Sequence, residues 1–132
     1  MDRERVGEWV AAYERAWRTP GTDVLAGLFS VGASYRQTPY AEPVVGLGEI
    51  TRMWGAERAG PDEAFQMSSD IIAVDGDQAV VRVLVRYGDP VAAEYRDLWV
   101  LRFGGDGLCH SFEEWPFSPE PSEAGGGARG VR

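Results

Sequence analysis

The apolar residues of this chain change their spacing once, between Trp54 and Phe65, and that change governs what the chain can fold into. Before it, Val6, Trp9, Val10, Tyr13 and Trp17 recur at intervals of three and four, on one stripe of a helix. After it, apolar positions recur every second residue through runs that read as strands at about Phe65–Val74, Gln78–Tyr87, Ala93–Phe103 and Leu108–Trp115. The breaks between them, "DGD", "GDP" and "GGDG", are turn compositions. Helices first and an antiparallel meander afterwards predict an α+β fold, with helices packed on one face of a curved sheet.

Two further helices are expected. "TPGT" ends the first, and Thr22 stands where it can cap a short second one through "DVLAGLF". Ile50, Met53 and Trp54 mark the inward face of a third, which Gly60–Pro61 stops. Between them "SYRQTPYAEPVVGLGEI", Ser34–Ile50, carries paired prolines, glycines and tyrosines, and reads as a rigid loop that neither a helix nor an ordinary strand crosses. The folded domain is expected over residues 1–117. Residues 118–132, "SPEPSEAGGGARGVR", are low in complexity and read as a disordered tail.

Composition removes several classes of function. A net charge of −8 argues against a nucleic-acid partner, which needs a basic face. All 13 basic residues are arginine, so Schiff-base chemistry and a phosphate-loop lysine are excluded. His110 is the lone histidine, so no multi-histidine metal site can form, and neither metal nor cofactor is expected. Cys109 is the lone cysteine and can form no internal disulfide. As strand neighbours, Cys109 and His110 should point to opposite faces, which argues against a catalytic dyad. No apolar run approaches the roughly 20 residues that cross a bilayer. "MDRERVGEWV" lacks a signal peptide's apolar core, so no membrane association and a cytoplasmic location are expected.

The order "AYERAW…LAGLF…ASYRQTPYAEPVVGLGEITRMW", then the strands, then "RFGGDGLCHSFEEWPF", resembles the nuclear transport factor 2 superfamily. It is most similar to the SnoaL-like and ketosteroid-isomerase-like branch, over about Val6 to Phe117. The resemblance implies a cone: a strongly bent sheet wrapped around helices, with a pocket open at one end. Ser34–Ile50 would then be the rim, and Tyr35 and Tyr40 its aromatic walls, or else plugs in the base of a small core. The branch includes isomerases, polyketide cyclases, epoxide hydrolases and subunits without chemistry, so fold alone leaves function open.

Laid on the isomerase pattern, Tyr13 matches the oxyanion tyrosine, but Gln37 falls at the base position and Trp99 at the acid position. Gln37 cannot take a carbon-bound proton, which excludes that reaction. The epoxide-hydrolase pattern, two carboxylates bridged by an arginine, is met in part by Arg86, Asp97 and Glu114.

Two registers of the second long strand compete. Alternation alone puts Val81, Val83 and Val85 in the core and Arg82 and Arg86 in solvent. The family register puts Val80, Arg82, Leu84 and Arg86 inside, leaves the valines outside, and needs a second copy of the chain to cover them. In that register Arg86 points inward and pairs with Glu114, and His110 shares the pocket face with Phe112 and Glu114.

The expectation is therefore a domain that binds a compact hydrophobic molecule (polyketide, terpenoid or steroid-like). If it is an enzyme, it is a cofactor-independent isomerase, cyclase or hydrolase. Glu114, Arg86, Asp97 and His110 are the candidate catalytic groups. Tyr13, Trp17, Tyr35, Gln37, Tyr40, Trp54, Arg82, Leu84, Trp99 and Phe112 are the candidate lining. A homodimer through the outer sheet face is expected, and the alternative is a non-catalytic dimerising module with a filled cone.

Overall fold

Asp2 starts the first helix: its carboxylate accepts from the Arg5 backbone N–H at 2.9 Å, satisfying one of the first turn's orphan donors. In the computed structural model, which describes residues 1–57 and 63–119, this helix (α1) spans Arg3–Arg18 and buries Val6, Trp9, Val10, Tyr13 and Ala16. The stripe read from the spacing is thus its inner face, with Trp17 half-buried beside it. Asp23–Gly27 forms a single 3₁₀ turn rather than an α-helix, and Thr22 makes no side-chain cap. Only Leu25 of that turn is buried, too little packing to hold a longer helix. The second helix (α2), Leu47–Glu57, buries Ile50 and Trp54. Gly60–Pro61, expected to stop it, and the tail from residue 120 lie outside the described residues.

Six strands follow the order β2-β1-β6-β5-β4-β3 in one sheet: β1 Phe29–Arg36, β2 Val44–Val45, β3 Phe65–Asp75, β4 Gln78–Tyr87, β5 Ala93–Phe103 and β6 Cys109–Phe117. The last four make the expected antiparallel meander, with β4 and β5 at the bounds read from the sequence. The expectation for Ser34–Ile50 is corrected. Strand β1 runs on through Arg36, pairs antiparallel with Val44–Val45 and lies parallel to β6. Ser30, Gly32, Ala33 and Ser34 carry little strand preference of their own. Pairing with a strand far away in sequence holds them extended, with a register slip between Phe29 and Ser34.

In β4, Ala79, Val81, Val83 and Val85 are buried, while Arg82 is exposed and Leu84 and Arg86 are partly so. The alternation reading therefore stands, and the inward register for Val80, Arg82, Leu84 and Arg86 is corrected. One face of β4 is uniformly apolar, and turning it outward would have put arginines in the core in its place.

A bulge corrects the reading of His110. Phe103 pairs with Cys109 and Arg102 with Ser111, which leaves His110 as an extra residue on β6. Both Cys109 and Phe112 then face inward, and His110 lies outside, 3.3 Å from Asp106. A second bulge at Ile72 bends the edge strand β3. Arg3 covers it by donating to the carbonyls of Ile71 and Ile72 at 2.8 and 3.3 Å. In the turn after β4, Gly88 has φ +97°, and a Cβ there would meet the Pro90 carbonyl oxygen at 2.9 Å, so only glycine fits.

Trp9 is the hub of the core. Its ring lies within 5.7 Å of Phe29 and 5.6 Å of Phe103, both edge-on, and its indole N–H donates to the Leu28 carbonyl at 3.0 Å. Cys109 is wholly buried, and burial pushes its thiol up to about 12. The native chain should resist thiol alkylation at pH 8 and be labelled fully only in denaturant; native labelling at a free-thiol rate would contradict this burial. Because the folded pKa is raised, the fold should also weaken as pH climbs above 9.0, where the unfolded thiol ionises first.

Candidate functional site

Toward one end of the sheet the inner positions change character. Along β4 the inward series Val81, Val83, Val85 ends in Tyr87; along β5 it runs Leu101, Trp99, Asp97, Tyr95. Polar-tipped and acidic side chains replace aliphatic ones, and there the core opens into a cavity of about 170 Å³. Helix α1 contributes Tyr13 and Trp17, and β1 contributes Tyr35 with Gln37 just beyond it. Met53 and Glu57 come from α2, Glu63 from the residues before β3, and Glu114 from β6. A smaller lobe of about 30 Å³ shares Tyr13, Trp17 and Tyr87, and is closed by Phe65, Met67, Val85, Asp97 and Trp99.

Two acids lie deepest: Asp97 is 2% exposed and Glu114 3%. They sit diagonally on neighbouring strands, since Glu114 faces Trp99 across the ladder and Asp97 faces Pro116. Beside them the Tyr13 and Tyr35 hydroxyls share a buried hydrogen bond of 2.8 Å. Phe112 stacks on both rings, at 5.6 Å from Tyr13 and 4.3 Å from Tyr35, and so fixes the hydroxyl pair. Trp54 backs the α1 wall, 5.0 Å from Tyr13 and 4.7 Å from Trp17. At the mouth the Trp17 indole N–H donates to Glu63 at 3.0 Å. Acid, hydroxyl and aromatic groups thus converge on one small hollow, a set suited to proton transfer on a compact molecule. Among the described residues no three His, Cys, Asp or Glu side chains cluster as a metal site.

Of the residues singled out from the sequence, Glu114, Asp97, Tyr13, Trp17, Tyr35, Gln37 and Trp99 meet at this cavity. Trp54 and Phe112 are fully buried behind its wall. Tyr40 does not join them, being wholly exposed. Arg82, Leu84 and Arg86 are on the far side of the sheet, and the expected Arg86–Glu114 pair does not form. Arg86 Nε instead donates to Glu94 at 3.0 Å, and Arg96 Nε reaches the same carboxylate at 3.3 Å. The Arg86 hydrogen bond, aided by Arg96, holds the Glu94 carboxyl below its usual range. Arg82 is matched by Asp70 at 3.2 Å. His110, turned out by its bulge, stands apart from the cavity. Met53, Glu57, Glu63, Tyr87 and Tyr95 were missed. For Tyr87 and Tyr95 the signal was available, because they share parity with Val85 and Asp97.

Residues 10–109 match the family of SnoaL-like domains. The chain belongs to that family. Solved structures similar to this SnoaL-like domain agree on the nuclear transport factor 2-like fold. SalBIII, an epoxide hydrolase/cyclase-like enzyme of pyran ring formation in the polyether salinomycin, is 14% identical with a TM-score of 0.69, over 88% of this chain and 93% of that one. A nuclear transport factor 2-like protein of unknown function from Mesorhizobium loti is 18% identical, TM-score 0.65, over 89% and 96%. A candidate polyketide cyclase from Sinorhizobium meliloti is 23% identical, TM-score 0.63, over 81% and 93%. At these identities the likeness is one of fold. No curated protein sequence matches the SnoaL-like domain. No helix among its described residues is long and apolar enough to cross a membrane.

Proposed function

We propose that this SnoaL-like domain binds a compact, largely apolar molecule in its cavity and performs cofactor-independent acid–base chemistry on it in the cytoplasm. The observation that carries the reading is the burial of Asp97 and Glu114 at the base of an aromatic hollow, next to the paired Tyr13 and Tyr35 hydroxyls. A volume of about 170 Å³ favours a small substrate over a fused multi-ring one. The name of SalBIII suggests a model reaction, the opening of an epoxide. Glu114 takes the proton from the attacking water or hydroxyl as the new C–O bond forms. The epoxide C–O bond breaks, Asp97 supplies a proton to the departing oxygen, and the Tyr13–Tyr35 pair donates to the charge that develops there. Attack by water gives a diol; attack by a hydroxyl of the same molecule gives a ring.

Ala93 stands in the cavity wall at the start of β5. Titration of the wild-type chain with a small apolar alcohol such as cyclohexanol should change the indole fluorescence of Trp17 and Trp99 saturably. Ala93→Phe, which fills the hollow, should weaken that response about ten-fold or more at unchanged thermal stability. Equal binding by the two proteins would end the proposal.

A dimer is the second part of the reading, and it also serves the non-catalytic alternative. On the outer face Leu98 pairs with Trp115, and Phe117 lies beside Arg96. Trp115 and Phe117 are 38% and 57% exposed. A patch of this kind on an open sheet suits an isologous contact with a second copy. In sedimentation the wild type should run at twice the chain mass and Trp115→Glu at the chain mass. A monomeric wild type would remove the interface.

A further inference from the structure

Of the five tryptophans, Trp9, Trp17 and Trp115 each donate their indole N–H to an oxygen of the chain, at 3.0, 3.0 and 2.7 Å. The N–H groups of Trp54 and Trp99 are buried and have no hydrogen-bond partner. A donor taken out of water and left unmatched weakens the fold, so a native chain seldom keeps one unless something else uses it. The two differ in their place. Trp54 is wholly buried and belongs to the described lining of neither lobe of the cavity. Trp99 is 3% exposed and forms part of the wall of the smaller lobe.

That lobe, of about 30 Å³, has room for a water-sized group and little more. Among the described residues Asp97 lines only the smaller lobe and Glu114 only the larger, while Tyr13 lines both. A ligand whose carbon body fills the larger lobe can therefore extend one small substituent into the smaller one. An indole N–H donates and never accepts, so the substituent it matches is an acceptor oxygen. We propose that Trp99 is a substrate-binding residue, its N–H donating to a carbonyl, ether or epoxide oxygen of the ligand seated in the smaller lobe. The inference rests on the cavity being a ligand site, and it adds the class of ligand and its orientation. In the opening of an epoxide, the departing oxygen occupies the smaller lobe, where the Trp99 N–H steadies its charge while Asp97 supplies the proton. The attacking water or hydroxyl then stands in the larger lobe with Glu114. The indole keeps its own hydrogen throughout.

Cyclohexanone and methylenecyclohexane have nearly one shape and differ in whether the ring bears an acceptor oxygen. Titrated into the full isotope-labelled chain and followed by NMR, cyclohexanone should bind about ten-fold more tightly and move the Trp99 indole N–H resonance downfield saturably. Methylenecyclohexane should bind without that move, and the Trp54 N–H is the internal control. Replacing Trp99 with benzothienylalanine, which has sulfur where the indole has N–H, keeps the shape and removes the donor. In that variant cyclohexanone should fall to the affinity of methylenecyclohexane, while the urea midpoint holds or rises because no bond within the protein is lost. Equal binding of the two probes by the wild type, or a Trp99 resonance that stays in place, overturns the donor and leaves the cavity as a site. A lower urea midpoint in the variant overturns it too, since the N–H would then have a partner within the fold. If neither probe binds, donor and cavity both fall.

Discussion

Trp54→Ala is expected to remove about 3–5 kcal/mol of folding stability, read as a fall in the urea midpoint. Trp54 is wholly buried, and it is the side chain through which α2 grips α1, edge-on to both Tyr13 and Trp17. Deleting it leaves a void under two walls of the hollow, and neither helix can close it without dragging a tyrosine or an indole with it. A domain of this size holds only about 5–15 kcal/mol in all, so the variant should sit near the limit of folding at body temperature. A loss below about 1 kcal/mol would mean that α2 is not packed as described.

Glu114→Gln should lower turnover of a small hydroxy-epoxide about 100-fold or more, the usual cost of removing a general base. The amide keeps the shape of the carboxylate but has no basic lone pair. The far-ultraviolet spectrum and the cavity's affinity for cyclohexanol should therefore survive while the rate falls. That split between binding and rate is what a merely structural role would not produce. Undiminished turnover would transfer the base to another residue, and Asp97→Asn is the variant to measure next.

Much of this architecture was legible before any coordinates. The stripe on α1 and the alternation in β4 each need only neighbouring residues, and both were right on their own terms. Error entered when the register implied by resemblance was set against Val81, Val83 and Val85, whose parity had already placed Arg82 and Arg86 outside. Glu114 and Phe112 were placed inward correctly by parity on β6, but the same count carried His110 in with them. One inserted residue inverts every side chain before it, and a bulge leaves no mark in an alternating pattern. Strand β1 was hidden for a different reason. Its extended form is imposed by β6 and β2, and its own serines and glycine argue against a strand. The acids Glu57 and Glu63, at the end of α2 and just before β3, carry no apolar period that would have marked them as cavity residues.

The parallel seam between β1 and β6 also sets the order in which a newborn chain can finish itself. Phe29 and Tyr35 leave the ribosome long before Cys109 and Phe112, their lasting neighbours, have been translated. Until then Phe29 and Tyr35 lack the strand that covers them, the kind of nascent surface that holdase chaperones shelter. Strand β6 lies between β1 and β5 and carries Glu114, so the cavity wall is whole only once that strand is in place.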